Sequence, residues 1–170
     1  MDREEEEAIR LSVLRGYGVL DTPNEAQFDA IVREAAQALD APIALISLVD
    51  EHRQWFKAKV GLEASETPRS ISFCTHTIRG NDVLVVADAS VDHRFADNPL
   101  VKGDPNIRYY AGAPLRTPGG QRIGTLCVID TRRHGPPSED DKRKLEELAA
   151  RTVEAFERRA AMAAARADRS

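Results

Sequence analysis

Phe28, Ile31, Val32, Ala35, Ala36 and Leu39 fall at offsets of 0, 3, 4, 7, 8 and 11 along the chain, which places them in one apolar stripe on a helix. Thr22, Pro23, Asn24 and Glu25 precede the stripe. They supply an N-cap hydroxyl, a proline for the first helical position and a capping-box glutamate, so the helix is predicted to start there. Pro42 closes it, and Ile43–Val49 is apolar on both faces, as a strand in the middle of a sheet must be. A polar turn at Asp50, Glu51, His52 and Arg53 leads to residues 54–60, where Phe56, Ala58 and Val60 alternate with Lys57 and Lys59. That alternation predicts a half-buried strand paired antiparallel to the first. Residues 61–72 lack a period and read as loop, 73–79 as a short helix, 83–87 as a third strand, and 92–101 as weakly helical until the break at 103–106. Residues 108–116 and 122–130 form two more strands around Thr117, Pro118, Gly119 and Gly120, a turn with proline and glycine where each is needed.

The two ends are helical in pattern. Residues 2–7 hold five acids and one arginine and are expected to fray or to begin a solvated helix; Ile9, Leu11, Val13 and Leu14 suit a short helix that Gly16 and Gly18 interrupt. After Pro136, Pro137 and Ser138 a long helix is predicted, with Leu145, Leu148, Ala149, Thr152, Val153 and Phe156 on one face and acids at its positive end. Beyond Phe156 the stripe dissolves into alanines and arginines. No internal repeat is visible. Adjacent antiparallel strands with helices gathered at the ends predict an α+β fold: a central antiparallel sheet of five to six strands with the terminal helices on one face. The loosely patterned segments 62–82 and 90–107 must then cover the other face. Their polarity predicts an incompletely filled layer, and so a pocket formed by short helices and loops.

Composition narrows the class. A chain of 170 residues, 42% hydrophobic and 31% charged, has enough apolar material for one core and enough charge for a wet surface. The apolar run 43–49 is far below the roughly 20 residues that span a bilayer. The acidic start lacks the basic-then-apolar layout of a secretory signal, so a cytoplasmic location is expected, with Cys74 and Cys127 as thiols. A net charge of −4 argues against nucleic acid or an anionic membrane as partner.

Several motifs then occur together: Asp21-Thr-Pro23, Pro42-Ile-Ala-Leu-Ile-Ser-Leu-Val-Asp50, Arg53-Gln-Trp-Phe56, Ser65-Glu-Thr-Pro-Arg69, Ser72-Phe-Cys74, Arg94-Phe-Ala-Asp-Asn-Pro99, Tyr109-Tyr-Ala-Gly-Ala-Pro-Leu115 and Gly124-Thr-Leu-Cys-Val-Ile-Asp130. In this order they resemble a GAF domain of the bacterial signalling type. The resemblance implies a GAF-like, PAS-related fold over residues 11–157, between a flexible acidic N-terminus (1–10) and a C-terminal helical extension or linker (158–170). It also implies a sensory or dimerising module of histidine kinases, diguanylate cyclases or related regulators. It names no ligand, because the family takes cyclic nucleotides, bilins, haem, small metabolites or nothing known.

The candidate pocket residues are Phe73, Cys74, His76, Thr77, Asp88, Phe95, Arg108 and Tyr110. Of Tyr109 and Tyr110 only one can face inward by strand alternation, and Tyr110 is the choice. In the bilin-binding branch the attachment cysteine is followed directly by histidine; here Thr75 separates Cys74 from His76, so a covalent bilin is not expected. Two ligands do not make a zinc site, so no metal is expected. Cys127, among apolar neighbours, reads as a small buried hydrophobe. No nucleophile motif, glycine-rich phosphate loop or HExxH segment is present. The expectation is therefore a non-catalytic sensor that binds an unidentified small molecule. It would relay the change through its terminal helices to a homodimer partner and on to a histidine kinase or diguanylate cyclase effector. The alternatives are a structural dimerisation module without a ligand, and a thiol-based redox sensor or methionine-sulfoxide-reductase-like enzyme using Cys74.

Overall fold

The computed structural model describes residues 2–169; Met1 and Ser170, the latter the last residue of the expected extension, lie outside the described residues. Five helices, α1 (Arg3–Gly16), α2 (Ala26–Ala38), α3 (Cys74–Thr77), α4 (Pro99–Lys102) and α5 (Glu139–Arg169), accompany six strands. These are β1 (Ile43–Val49), β2 (Arg53–Val60), β3 (Glu66–Pro68), β4 (Leu84–Val86), β5 (Tyr109–Arg116) and β6 (Arg122–Asp130). They form one antiparallel sheet in the order β3-β2-β1-β6-β5-β4. β1 is buried along its whole length between β2 and β6, which is why it carries no polar alternation.

One face of the sheet packs on helices. Ala44, Ile46 and Leu48 of β1, Tyr109, Ala111, Ala113 and Leu115 of β5, and Leu126 and Val128 of β6 meet Phe28, Ile31, Val32 and Ala35 of α2 and Leu145, Leu148, Val153 and Phe156 of α5. The α2 and α5 stripes are those the periodicity marks out, and Phe28 and Phe156 touch with ring centroids 4.9 Å apart. Ser138 Oγ accepts the Asp141 amide at the head of α5. α2 starts later than its cap signal suggests. Its N-cap is Glu25, without a side-chain cap bond, and Thr22 Oγ1 instead donates to the Val19 carbonyl. Glu25 is drawn away to Lys57 and Arg159, at 2.7 and 2.8 Å, since an ion pair to a buried ammonium outweighs a capping bond.

Lys57 also explains the departure in β2. Ser47 pairs with Phe56 and Ile46 with Ala58, leaving Lys57 as the extra residue of a bulge. Trp55 and Ala58 therefore face the helices while Phe56 faces the opposite side, so Phe56, Ala58 and Val60 do not share a face. The Lys57 ammonium, completely buried, donates to Thr22 Oγ1 at 2.8 Å and to the Pro23 carbonyl at 2.6 Å.

The acidic N-terminus, expected to be flexible over residues 1–10, is helical from Arg3, with Asp2 Oδ1 accepting the Glu5 amide. Arg10 is the reason the helix docks. Its guanidinium is buried, donates to the Val49 carbonyl at 2.7 Å, and is held in a two-pronged pair by Glu7. Leu11 and Leu14 bury beside it, so α1 runs unbroken across residue 11. At the other end α5 continues 13 residues past Phe156, and residues 161–168 are exposed on every side.

Candidate functional site

The second face of the sheet is covered by α3, α4 and the loops between them. Ile43, Leu45 and Val49 of β1, Phe56, Val86, Tyr110, Cys127 and Ile129 all point there. Phe73 and Phe95 fill the middle as a parallel stack, with centroids 4.1 Å apart and planes 7° apart, and Tyr110 leans on Phe73 at 5.3 Å. The loosely patterned segments thus contribute more apolar mass than their polarity suggests: Phe73, Ile78, Phe95, Val101 and Ile107 are each at most 7% exposed. Gly112 is part of this arrangement. A Cβ there would lie 2.2 Å from the Tyr110 hydroxyl, so the ring of Tyr110 takes the space that a larger residue on the same face would need. Gly124 is required in the same sense, since its Cβ would meet the Ser47 carbonyl at 2.0 Å.

Of the candidate residues, the structure brings together Phe73, Cys74, Thr77, Phe95 and Tyr110, all buried in one cluster. Tyr110 faces this side and Tyr109 the helices, where Tyr109 stacks on His134 at 4.1 Å. His76 stands at the margin with its ring edge on Phe95, 4.8 Å between centroids. It lines a rim hollow of about 540 Å³ together with Glu51, His52, Arg69, Thr75 and Arg79. Burial first, then the nearby Arg79 and Arg94, hold the His76 imidazole below its ordinary range. Asp88 and Arg108 lie elsewhere and stabilise loops. Asp88 accepts from the Ser90 amide and hydroxyl, and Arg108 donates to the carbonyls of Val101 and Ile107.

The chemistry of the cluster centres on Cys74, at the start of α3. Its sulfur is 3.0 Å from Thr125 Oγ1 and accepts from the Tyr110 hydroxyl at 3.6 Å; Tyr110 in turn meets Thr77 Oγ1 at 2.7 Å. Hydrogen bonding from Cys127, opposed by burial and assisted by Thr125, Tyr110 and Ser47, holds the Cys74 thiol below its usual range. Its neighbour Cys127 is raised by the Cys74 sulfur and then by burial, and burial followed by the Cys74 charge raises Tyr110. Sequence reasoning missed Cys127, Thr125 and Ser47 here. The available signal was a lone hydroxyl inside the apolar run of each of two strands: Ser47 and Thr125 are opposite one another in the β1–β6 register, and both are fully buried. Buried hydroxyls need partners, and the partners are Gln54 for Ser47 and Cys74 for Thr125.

The chain that folds into this six-stranded antiparallel sheet matches the family model of the GAF domain over residues 23–156. The chain belongs to the GAF family. A cyclic di-GMP phosphodiesterase from Pseudomonas aeruginosa is 46% identical over 145 residues, covering 85% of this chain. This chain spans only a quarter of that relative's length. Among solved structures, the GAF domain of an Acinetobacter phosphoenolpyruvate-protein phosphotransferase superposes with a TM-score of 0.63 at 19% identity, covering 93% of this GAF chain and 95% of the other. The type II free methionine-R-sulfoxide reductase of Thermoplasma acidophilum superposes at 0.62 with 14% identity, covering 89% and 94%. The expectation of a non-catalytic protein is corrected by these findings, because the 46%-identical relative and the second structure are both named as enzymes. No described helix is long and apolar enough to cross a membrane.

Proposed function

We propose that this GAF domain is a regulatory segment of a cyclic di-GMP-hydrolysing signalling enzyme, which it joins to the enzyme's output through α5. The observation that carries this is the 46% identity over 145 residues to a phosphodiesterase of which those residues make up a quarter. That size relation fits one segment within a larger signalling protein. The effector in this reading is a phosphodiesterase in place of the histidine kinase or diguanylate cyclase expected at first. α1 and α5 are the transmitting elements. α1 is tied to the end of β1 by Arg10, and α5 packs on β5 and β6 before leaving the domain as an exposed helix. The exposed alanine- and arginine-rich end of α5 supports pairing with a second copy, because a solvent-surrounded helix of this length gains stability by burying a face.

Replacing the matched segment of the Pseudomonas enzyme with this chain tests the reading. Hydrolysis of cyclic di-GMP is expected to be retained in the replacement and changed when the segment is deleted. Equal hydrolysis in the parent, the replacement and the deletion would overturn it.

The convergence of Cys127, Thr125 and Tyr110 on the Cys74 sulfur favours a second reading, a thiol that responds to peroxide. In that reaction hydrogen peroxide takes two electrons from the two thiols, Cys74 and Cys127 lose their protons and form one S–S bond, and two waters leave. A mass decrease of two hydrogens on peroxide treatment, absent in Cys74→Ser, would support it; an unchanged mass would exclude it.

A further inference from the structure

An open hollow of about 730 Å³ lies outside the aromatic cluster, between α1, the end of α3 and the β5–β6 turn. Five arginines reach it from four segments of the chain: Arg3 and Arg10 of α1, Arg69 ahead of α3, Arg79 just beyond α3, and Arg122 of β6. Only Glu6 and Glu7 oppose them, which leaves a local charge of 5 − 2 = +3 on a chain whose net charge is −4. Such a concentration of like charge is costly unless something neutralises it.

The internal pairs do so only in part. Glu7 takes Arg10 at 2.8 Å and Arg69 at 2.5 Å, and Arg10 first, then Arg69, hold its carboxyl down to about 2. Arg122 is bonded to neutral oxygens alone, the Ile78 carbonyl at 2.5 Å and Asn81 Oδ1 at 2.9 Å, so its charge meets no carboxylate. The guanidinium groups of Arg3 and Arg79 form no hydrogen bond or ion pair among the described residues. Arg79, Arg69 and Thr75 also wall the adjoining hollow that His76 lines. Gly119 and Gly120 form the turn side, and nothing but the Arg116 tip lies within 4 Å of where a Gly120 Cβ would be.

We infer that this cleft binds a small phosphorylated ligand carrying two to three negative charges, at a site separate from the aromatic cluster. Guanidinium forks pair with both carboxylate and phosphate. Arginines arriving from four segments of the chain favour the tetrahedral group, which accepts from several directions, over a planar carboxylate, which accepts in one plane. The volume is in the range of small-molecule sites. The inference does not depend on the phosphodiesterase reading, because it concerns only what this domain binds.

The test is calorimetric titration of the whole chain with inorganic pyrophosphate and with succinate at equal ionic strength, for the parent and for Arg79→Gln. The Arg79 guanidinium is exposed and bonds nothing among the described residues, while its backbone amide bonds the His76 carbonyl whatever the side chain, so the variant keeps the parent's melting temperature without ligand. Saturable binding of pyrophosphate is expected, weakened about tenfold in Arg79→Gln, with succinate binding far more weakly. Arg94→Gln, which is outside the lining of the cleft and paired with Asp92 at 2.7 Å, is expected to bind like the parent. Absence of saturable binding, equal affinity for succinate, an unchanged Arg79→Gln, or equal losses in both variants would each overturn the proposal.

Discussion

Phe95→Ala is the most informative single change on the second face of the sheet. Phe95 is 1% exposed, stacks face to face on Phe73 at 4.1 Å, and carries the edge of His76 at 4.8 Å. Deleting a buried phenyl ring costs about 3–5 kcal/mol, through lost transfer energy and the cavity left behind. Phe73 keeps its contact with Tyr110 and holds the walls apart, so little collapse is available and a loss of about 4 kcal/mol is expected. For a chain of this length each kcal/mol lowers the melting temperature by about 2–4 °C, which gives a drop of about 8–16 °C. Urea unfolding of parent and variant, fitted with a common slope, reads the loss directly. The cavity left would be walled largely by Phe73 and the His76 ring, so benzene added to the variant should recover part of the midpoint and leave the parent unmoved. A loss below about 1 kcal/mol would refute the reasoning, because it would mean that the aromatic cluster is loosely packed and already has room for a guest.

Other expectations follow from the charged contacts. Lys57→Ala should destabilise by about 3 kcal/mol, since it strips Glu25, Thr22 and Pro23 of a fully buried donor; Lys57→Met, which keeps the volume, should cost less by the same urea assay. Glu7 is depressed to about 2 from an ordinary 4.5, so its contribution is complete above pH 4.5 and is lost as pH falls toward 2. The Glu7→Gln protein should lack that component of acid destabilisation, and an identical pH profile would contradict the Arg10–Glu7–Arg69 anchor. Asp130→Asn should loosen the segment between β6 and α5, because Asp130 holds His134 Nε2 at 2.6 Å and the His134 amide bonds the Ala87 carbonyl. Faster hydrogen exchange at that amide is the readout.

The sheet and the two long helices were legible because each is specified by its own period. β1 is apolar throughout, the hairpin carries its turn residues, and the stripes of α2 and α5 match the buried positions. Three departures have one physical source, a buried charge whose partner is distant in sequence. Lys57 reads as a surface residue in an alternating strand, and only the approach of Thr22, Pro23 and Glu25 makes a bulge there favourable. Glu25 is taken from its cap for the same reason, and the acidic start is ordered because Arg10 finds the Val49 carbonyl 39 residues away. In the site, the composition of the aromatic cluster was readable, including the inward choice of Tyr110. Its closure was not, since Phe73 and Phe95 come from separate irregular segments whose packing leaves no trace in a local pattern. The arginine cleft is likewise assembled from four separate segments, none of which carries a basic run.

The proposal that this domain acts through α5 is tested most directly by cyclic di-GMP hydrolysis in the replacement protein with residues inserted after Phe156. Each inserted residue turns the following helix by about 100°. Two residues should displace the output face and change the rate, whereas seven, which return the helix to within about 20° of its original phase, should restore it. Rates indifferent to both insertions would contradict the account.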